Sequence, residues 1–229
     1  MSMTSRILAG AAAAATALAM AGCTSGMANQ SESDPVESDP SPASSYQVST
    51  DTIREIFVSS DFVPDAFSSP EEMVESIYPD VSVSPDCFAV LGVGAIDPEA
   101  NVVFGPSIDR SLTVQISSFT APAVDYYATM SDHADACIAD PQLVFAGNSV
   151  DATVEREDLY DDKSFVLTLT ASISGSEVSV IARVEKLEEN VVSVVGWDPY
   201  TNEANVPRAT GMLIEKMSDA RIERINAVK

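Results

Sequence analysis

Three cysteines, a single histidine and 35 acidic residues are the side chains with which this 229-residue chain could do chemistry. With His133 as the only histidine, a Ser-His-Asp arrangement must run through it or not exist. Its setting, Asp132-His133-Ala134-Asp135, offers carboxylates or solvent as neighbours rather than a nucleophile. One histidine beside cysteines that pair with each other does not make a tetrahedral zinc site. Asp158, Asp161 and Asp162 would hold calcium weakly at best, because the spaced ligands and the glycine of an EF-hand loop are missing. Paired carboxylates for glycoside hydrolysis are available anywhere in so acidic a chain and therefore discriminate nothing. Gly92-Val93-Gly94 lacks the third glycine and the helix start of a phosphate-binding loop. The expectation is a protein without catalytic residues, metal or cofactor.

The cysteines differ by context. Arg6 and the apolar run Ile7 to Ala21 have the charge and length of a signal peptide, and the run is too short to span a hydrocarbon core of ~30 Å. It ends in Leu18-Ala19-Met20-Ala21-Gly22-Cys23, small residues leading into a thiol. This resembles the lipobox of bacterial lipoproteins, with Met20 where leucine is commoner. The resemblance implies cleavage after residue 22 and alkylation of Cys23 by diacylglycerol. The other reading is an ordinary secretory cleavage beside an incidental cysteine. Two acyl chains anchor durably where one would be marginal, at ~0.8 kcal/mol per buried methylene. The implied location is the outer face of the cell membrane. Thr24 to Thr50, with Glu32-Ser33-Asp34-Pro35 echoed in Glu37-Ser38-Asp39-Pro40, has too little apolar surface to order itself. A tether of 23–50 reaches ~30 Å as a flexible chain. Cys87 and Cys137 are then an even pair in an oxidising compartment and are expected to bridge, the alternative being two free buried thiols.

Residues 51–229, roughly 180 of them, fall within the size of one domain. Helical signals come first: Thr52 to Val58, then Pro70 to Tyr78 with Ser69 as N-cap and Glu71, Glu72 and Glu75 toward the positive end of the dipole. Phe88 to Ile96 and Val102 to Phe104 read as strands. Leu112, Val114 and Ile116 alternate with polar residues, as do Phe165, Leu167 and Leu169. Glu177 to Leu187 puts Val178, Val180, Ala182 and Val184 on one side and Arg183 and Glu185 toward solvent. Val191 to Trp197 is apolar on both faces, as a central strand would be. Ser174-Gly175 and Glu188-Glu189-Asn190 are short turns that make these neighbours an antiparallel meander. A helix capped by Thr120, with Pro122 in its opening turn, presents Ala123, Tyr127, Met130, Ala134 and Cys137 to the core. A last helix, Arg208 to Val228, buries Leu213, Met217 and Ala220 and gathers Lys216, Arg221, Arg224 and Lys229, either docking on the sheet's rim or solvated. The expected fold is α+β: an antiparallel sheet of five or six strands, helices on one face, one disulfide. Trp197 reads as core or as a lid on a cleft edge, and Tyr126 and Tyr127 as core and helix flank.

With 12 basic residues against 35 acidic ones the formal net charge is -23, which repels phosphate backbones and anionic head groups. Nucleic acid is excluded as a partner. Solubility or adaptation to salt explains the acidity more readily than a specific cation-binding role does. Val81-Ser82-Val83-Ser84-Pro85-Asp86-Cys87, the strand into Ser118-Phe119, the helix ending at Cys137 and Glu189-Asn190-Val191-Val192 together resemble the PknH-like extracellular sensor domain of actinobacteria, over most of Pro70 to Ile225. That domain occurs on receptor kinases and on free-standing lipoproteins. Ala134 stands where family members often carry tryptophan, and no cysteines remain for a second disulfide. The resemblance implies a sheet with helices, an open cleft for a ligand, and no enzyme activity. The expected partners are the membrane, through the anchor, and a cell-envelope ligand or protein. The alternative is an envelope interaction or structural lipoprotein without a small ligand.

Overall fold

The computed structural model describes residues 46–92, 97–160, 162–197 and 202–228. The leader expected over 1–22, Cys23 and the tether up to residue 45 lie outside them. The described chain begins against the sheet. Val48 is buried, its N–H donates to Ser118 Oγ at 2.8 Å, and its carbonyl accepts from Asn101 Nδ2 at 3.0 Å. Residues 46–48, assigned to the tether by composition, are therefore packed, with Gln47 Nε2 also donating to the Ser118 carbonyl at 2.8 Å.

Three serine caps start three helices. Ser49 Oγ accepts from the Thr52 N–H to open α1 (Thr50–Val58), and Ser69 Oγ from the Glu72 N–H to open α2 (Pro70–Ile77). After β1 (Val81–Val83), Ser84 Oγ accepts from the Cys87 N–H to open α3 (Pro85–Leu91). The strand expected from Phe88 is thus a helix as far as Leu91, and 93–96 lie outside the described residues. Proline in the first turn and Asp86 beside it favour the helix, whereas a short apolar run alone fits either state.

β2 (Asn101–Pro106) and β3 (Leu112–Ser118) form a hairpin, followed by α4 (Val124–Ala139). α4 begins later than its Thr120 cap predicted. The Phe119 and Ala123 N–H groups donate to the Glu189 and Glu188 carbonyls at 2.9 Å, which carries the chain past Thr120 before it can coil. β4 (Leu143–Phe145) and β5 (Asn148–Val150) pair with β1 in a small sheet, order β1-β4-β5. β6 (Ala152–Leu159), a strand outside the expected set, pairs with β7 (Ser164–Ile173), from which β8 (Ser176–Leu187) and β9 (Asn190–Gly196) run as the expected meander. Among the described residues the main sheet has six antiparallel strands in the order β2-β3-β9-β8-β7-β6, which places β9 inside it. α5 (Asn202–Val228) closes the chain, starting ahead of Arg208 and containing Pro207.

The class is α+β, but the helices cover both faces of the main sheet. On one face Phe165, Leu167, Leu169, Val180, Ala182 and Val184 pack with side chains of α2, α3 and α4, including Met73, Val90 and Met130. On the other, Val114, Ile116, Ile181, Val192 and Val194 pack with α1 and α5 through Ile53, Phe57, Leu213 and Met217. Burial on both faces corrects the reading of β8. Arg183 and Glu185 share the face of Ile181, against which α5 packs, and their side chains are only 10% and 17% exposed. They tolerate this by pairing with each other, Nη2 to Oε2 at 2.7 Å. α5 also docks by charge at the sheet's rim, as one of the two readings of its basic residues had it. Arg221 Nε lies 2.7 Å from Glu189 Oε2 in the β8–β9 turn, and Lys216 Nζ donates to the Ser59 carbonyl at 2.6 Å.

Candidate binding site

The Cys87–Cys137 disulfide joins α3 to α4 in the core, with Cα atoms 4.6 Å apart and both residues fully buried. A second tie lies beside it: His133 Nδ1 is 2.8 Å from Asp86 Oδ1. The histidine thus holds a carboxylate, one of its two expected neighbours. Asp158 is bound by Arg156, Nη2 to Oδ1 at 2.7 Å, rather than grouped with Asp162, and Asp161 lies outside the described residues. Arg156 also reaches Asp135 of α4 at 2.9 Å and lies over the Phe165 ring, so it clamps α4 onto β6. Among the described residues no three His, Cys, Asp or Glu side chains are placed to share a metal ion, and no helix is long and apolar enough to cross a membrane.

These ties fix the helical layer and leave a gap beside it, between the two sheets. The floor of the gap is the outer end of β7 and β8. Leu169 pairs with Val180 and Ala171 with Val178, so period-two alternation sends all four side chains to one side. Leu143 and Phe145 of β4 and Val81 of β1, itself paired with Phe145, form the roof. The end wall is Trp197, which follows β9, stacked on Tyr78 with ring centroids 4.8 Å apart and planes at 27°. Tyr78 is held there by position: its N–H caps α2 by donating to the Val74 carbonyl, and its hydroxyl donates to the Arg110 carbonyl at 3.3 Å. The cavity, open on one side, is about 250 Å³, and no charged side chain lines it.

A second cavity of about 310 Å³ adjoins it, sharing Val81 and Trp197. Phe88 and Val74 give it an apolar side, and Glu71 and Glu75 an acidic one. Trp197 is 6% exposed and its Nε1–H has no hydrogen-bond partner among the described residues. A buried donor without an acceptor is uncommon and marks a place for water or a ligand atom. Trp197 is therefore both core and cavity wall. The first cavity lies between the two sheets, where β1 and β4 stand over β7 and β8.

On the opposite face a wider groove of about 750 Å³ lies between the β2–β3 turn and α5, lined by Phe62, Leu112, Met212 and Arg208 among others. Asp109 borders it. Hydrogen bonds from Ser107 Oγ and from the N–H and hydroxyl of Ser111 hold its carboxyl below the usual range. Elsewhere on the first face, burial pushes the Tyr126 and Tyr127 phenols up to about 12.

Sequence reasoning missed Tyr78, Phe145 and Ala171 as wall residues. They come from separate elements, one of them a strand of three residues, and leave no periodic signal. Trp197, the only tryptophan, was the single pointer.

No family model matches the chain, and no curated protein matches it. Among solved structures it is similar to the extracellular domain of PknH from Mycobacterium tuberculosis, at 14% identity and a TM-score of 0.48, over 77% of this chain and 94% of that one. An uncharacterised protein from Mycobacterium smegmatis is similar at 13% identity and a TM-score of 0.39, over 77% of this chain and 99% of that one.

Proposed function

We propose that this chain is a lipid-anchored extracytoplasmic protein whose domain binds an apolar ligand group, without catalysis, in the cavity between its two sheets. The cavity carries the reading. It is apolar, open on one side and walled by a stacked aromatic pair, as small-molecule sites are, and its volume of about 250 Å³, just below the ~300 Å³ at which their range begins, suits an apolar arm rather than a whole ligand. The export leader and Cys23 support the location, as does a buried disulfide, which persists in oxidising compartments. His133 supports the non-catalytic part, since its Nδ1 is engaged in holding α3 to α4.

The test uses the full chain carrying Cys23→Ser, so that no lipid of its own competes, with phenylnaphthylamine as a neutral apolar probe. Emission from Trp197 should pass to the dye in a saturable one-to-one titration. Ala171→Phe, which fills the floor of the cavity, should abolish the transfer while the protein still unfolds cooperatively. Absence of saturable binding, or binding indifferent to Ala171→Phe, would overturn the reading.

A surface-contact role without a small ligand draws on one observation: Ile108, 68% exposed, borders the groove on the opposite face. Dye binding that survives Ala171→Phe and is lost with Ile108→Ser would favour it.

A further inference from the structure

Resting on that binding reading, we infer that the ligand is a cationic amphiphile: an apolar arm in the cavity between the sheets and a positively charged head in the adjoining acidic cavity, joined across Val81 and Trp197. The two cavities differ in charge. The first is lined by aliphatic and aromatic side chains only. The second presents Glu71 and Glu75, one helical turn apart on α2 and both exposed. Neither has an ion-pair partner among the described residues, and no basic side chain lines that cavity. Their neighbour Glu72 is turned away, accepting hydrogen bonds from the N–H and hydroxyl of Ser68. The acidic side is therefore two carboxylates free to meet a cation.

Trp197 links the halves. It lines both cavities, is 6% exposed, and carries a buried N–H without an acceptor. The indole beside the acidic cavity adds the attraction of an aromatic ring for a cation. The net charge of -23 works in the same direction by concentrating cations near the whole surface. An anionic amphiphile meets the opposite conditions at every point except the arm.

The experiment compares octyltrimethylammonium, octyl glucoside and octyl sulfate below their micellar concentrations, by calorimetry and Trp197 emission, on the full chain carrying Cys23→Ser. At ~0.15 M salt, charges more than ~8 Å away are largely screened, so the comparison reports the local carboxylates. The cationic probe should bind about tenfold more tightly than the anionic one. Glu71→Gln with Glu75→Gln should bring the two within about twofold and leave octyl glucoside unchanged. Equal affinity for all three probes would overturn the inference and leave the apolar cavity standing. So would a cationic preference that persists in the double variant, since it would then belong to the general field. A preference for octyl sulfate overturns the inference outright, and failure of all three to bind overturns it together with the reading on which it rests.

Discussion

His133 Nδ1 lies 2.8 Å from Asp86 Oδ1, and the two residues sit four positions before Cys137 and one before Cys87, so a hydrogen bond and a disulfide tie α3 to α4 along one seam. The ties are unequal. The disulfide closes a loop spanning 50 positions, for which chain entropy predicts ~4 kcal/mol. The His–Asp pair is partly exposed and should contribute at most ~1 kcal/mol. Urea unfolding of Cys87→Ala/Cys137→Ala should therefore show a much larger loss than His133→Ala, and a loss from His133→Ala matching that of the double cysteine variant would give the histidine a different role.

Acylation is expected at Cys23. Labelled fatty acid should enter the wild-type chain in an envelope fraction and be absent from Cys23→Ala; equal labelling of both would remove the anchor from the account.

Tyr126 reports the packing of α4 on the main sheet. Burial raises its phenol to about 12, against a weaker opposing effect of hydrogen bonds with Ser117 and Gln115. A raised folded value means that the folded state resists ionisation. This contribution to stability is whole below the unfolded value near ~10 and is lost as pH rises from there through about 12. In an alkaline titration Tyr126→Phe should lose stability less steeply over that window than wild type, as followed by Trp197 emission. Identical alkaline profiles would mean that Tyr126 is more solvated than its position implies.

The Arg183–Glu185 pair lies under α5 and should be far costlier to break than to replace. Glu185→Gln leaves a guanidinium buried without its counter-charge and should cost ~3–5 kcal/mol, whereas Arg183→Met with Glu185→Leu should recover most of the loss. Thermal unfolding of the two variants decides it, and a double replacement worse than the single would show that the pair is needed for more than mutual neutralisation.

Where a residue's neighbours in sequence are also its neighbours in space, the chain was legible. Ser69 and Pro70 announced α2, the alternation from Leu112 to Ser117 announced β3, and Val191 to Trp197 disclosed an interior strand through its lack of a polar face. Phe88 to Leu91 misled because four apolar residues carry no period, although Ser84-Pro85-Asp86 held a helix-start signal. Arg183 and Glu185 misled for another reason. Their burial depends on α5, more than fifteen positions later, and no local pattern in β8 records that a helix will lie on it. The candidate site was the least legible part. Its floor, roof and end wall come from β7, β8, β4, β1 and the residue after β9, brought together by the small sheet, whose strands are only three residues long.

Val48 has a mechanical meaning. Whatever holds the chain upstream, tension arriving from that side meets the fold over Tyr46 to Val48, where Arg221 lies over the Tyr46 ring and Gln47 Nε2 donates to the Ser118 carbonyl. From there it passes through the Val48 N–H to Ser118 and through the Val48 carbonyl to Asn101. Those two residues are register partners at one end of the β2–β3 hairpin, and Ser118 is also paired with Asn190 at the start of β9. A tug is thus shared at once among three adjacent strands and does not begin at β6 on the far edge. The cavity between the sheets is built on β7 and β8, on the other side of β9, so the strands that bear the load are not those that form its floor.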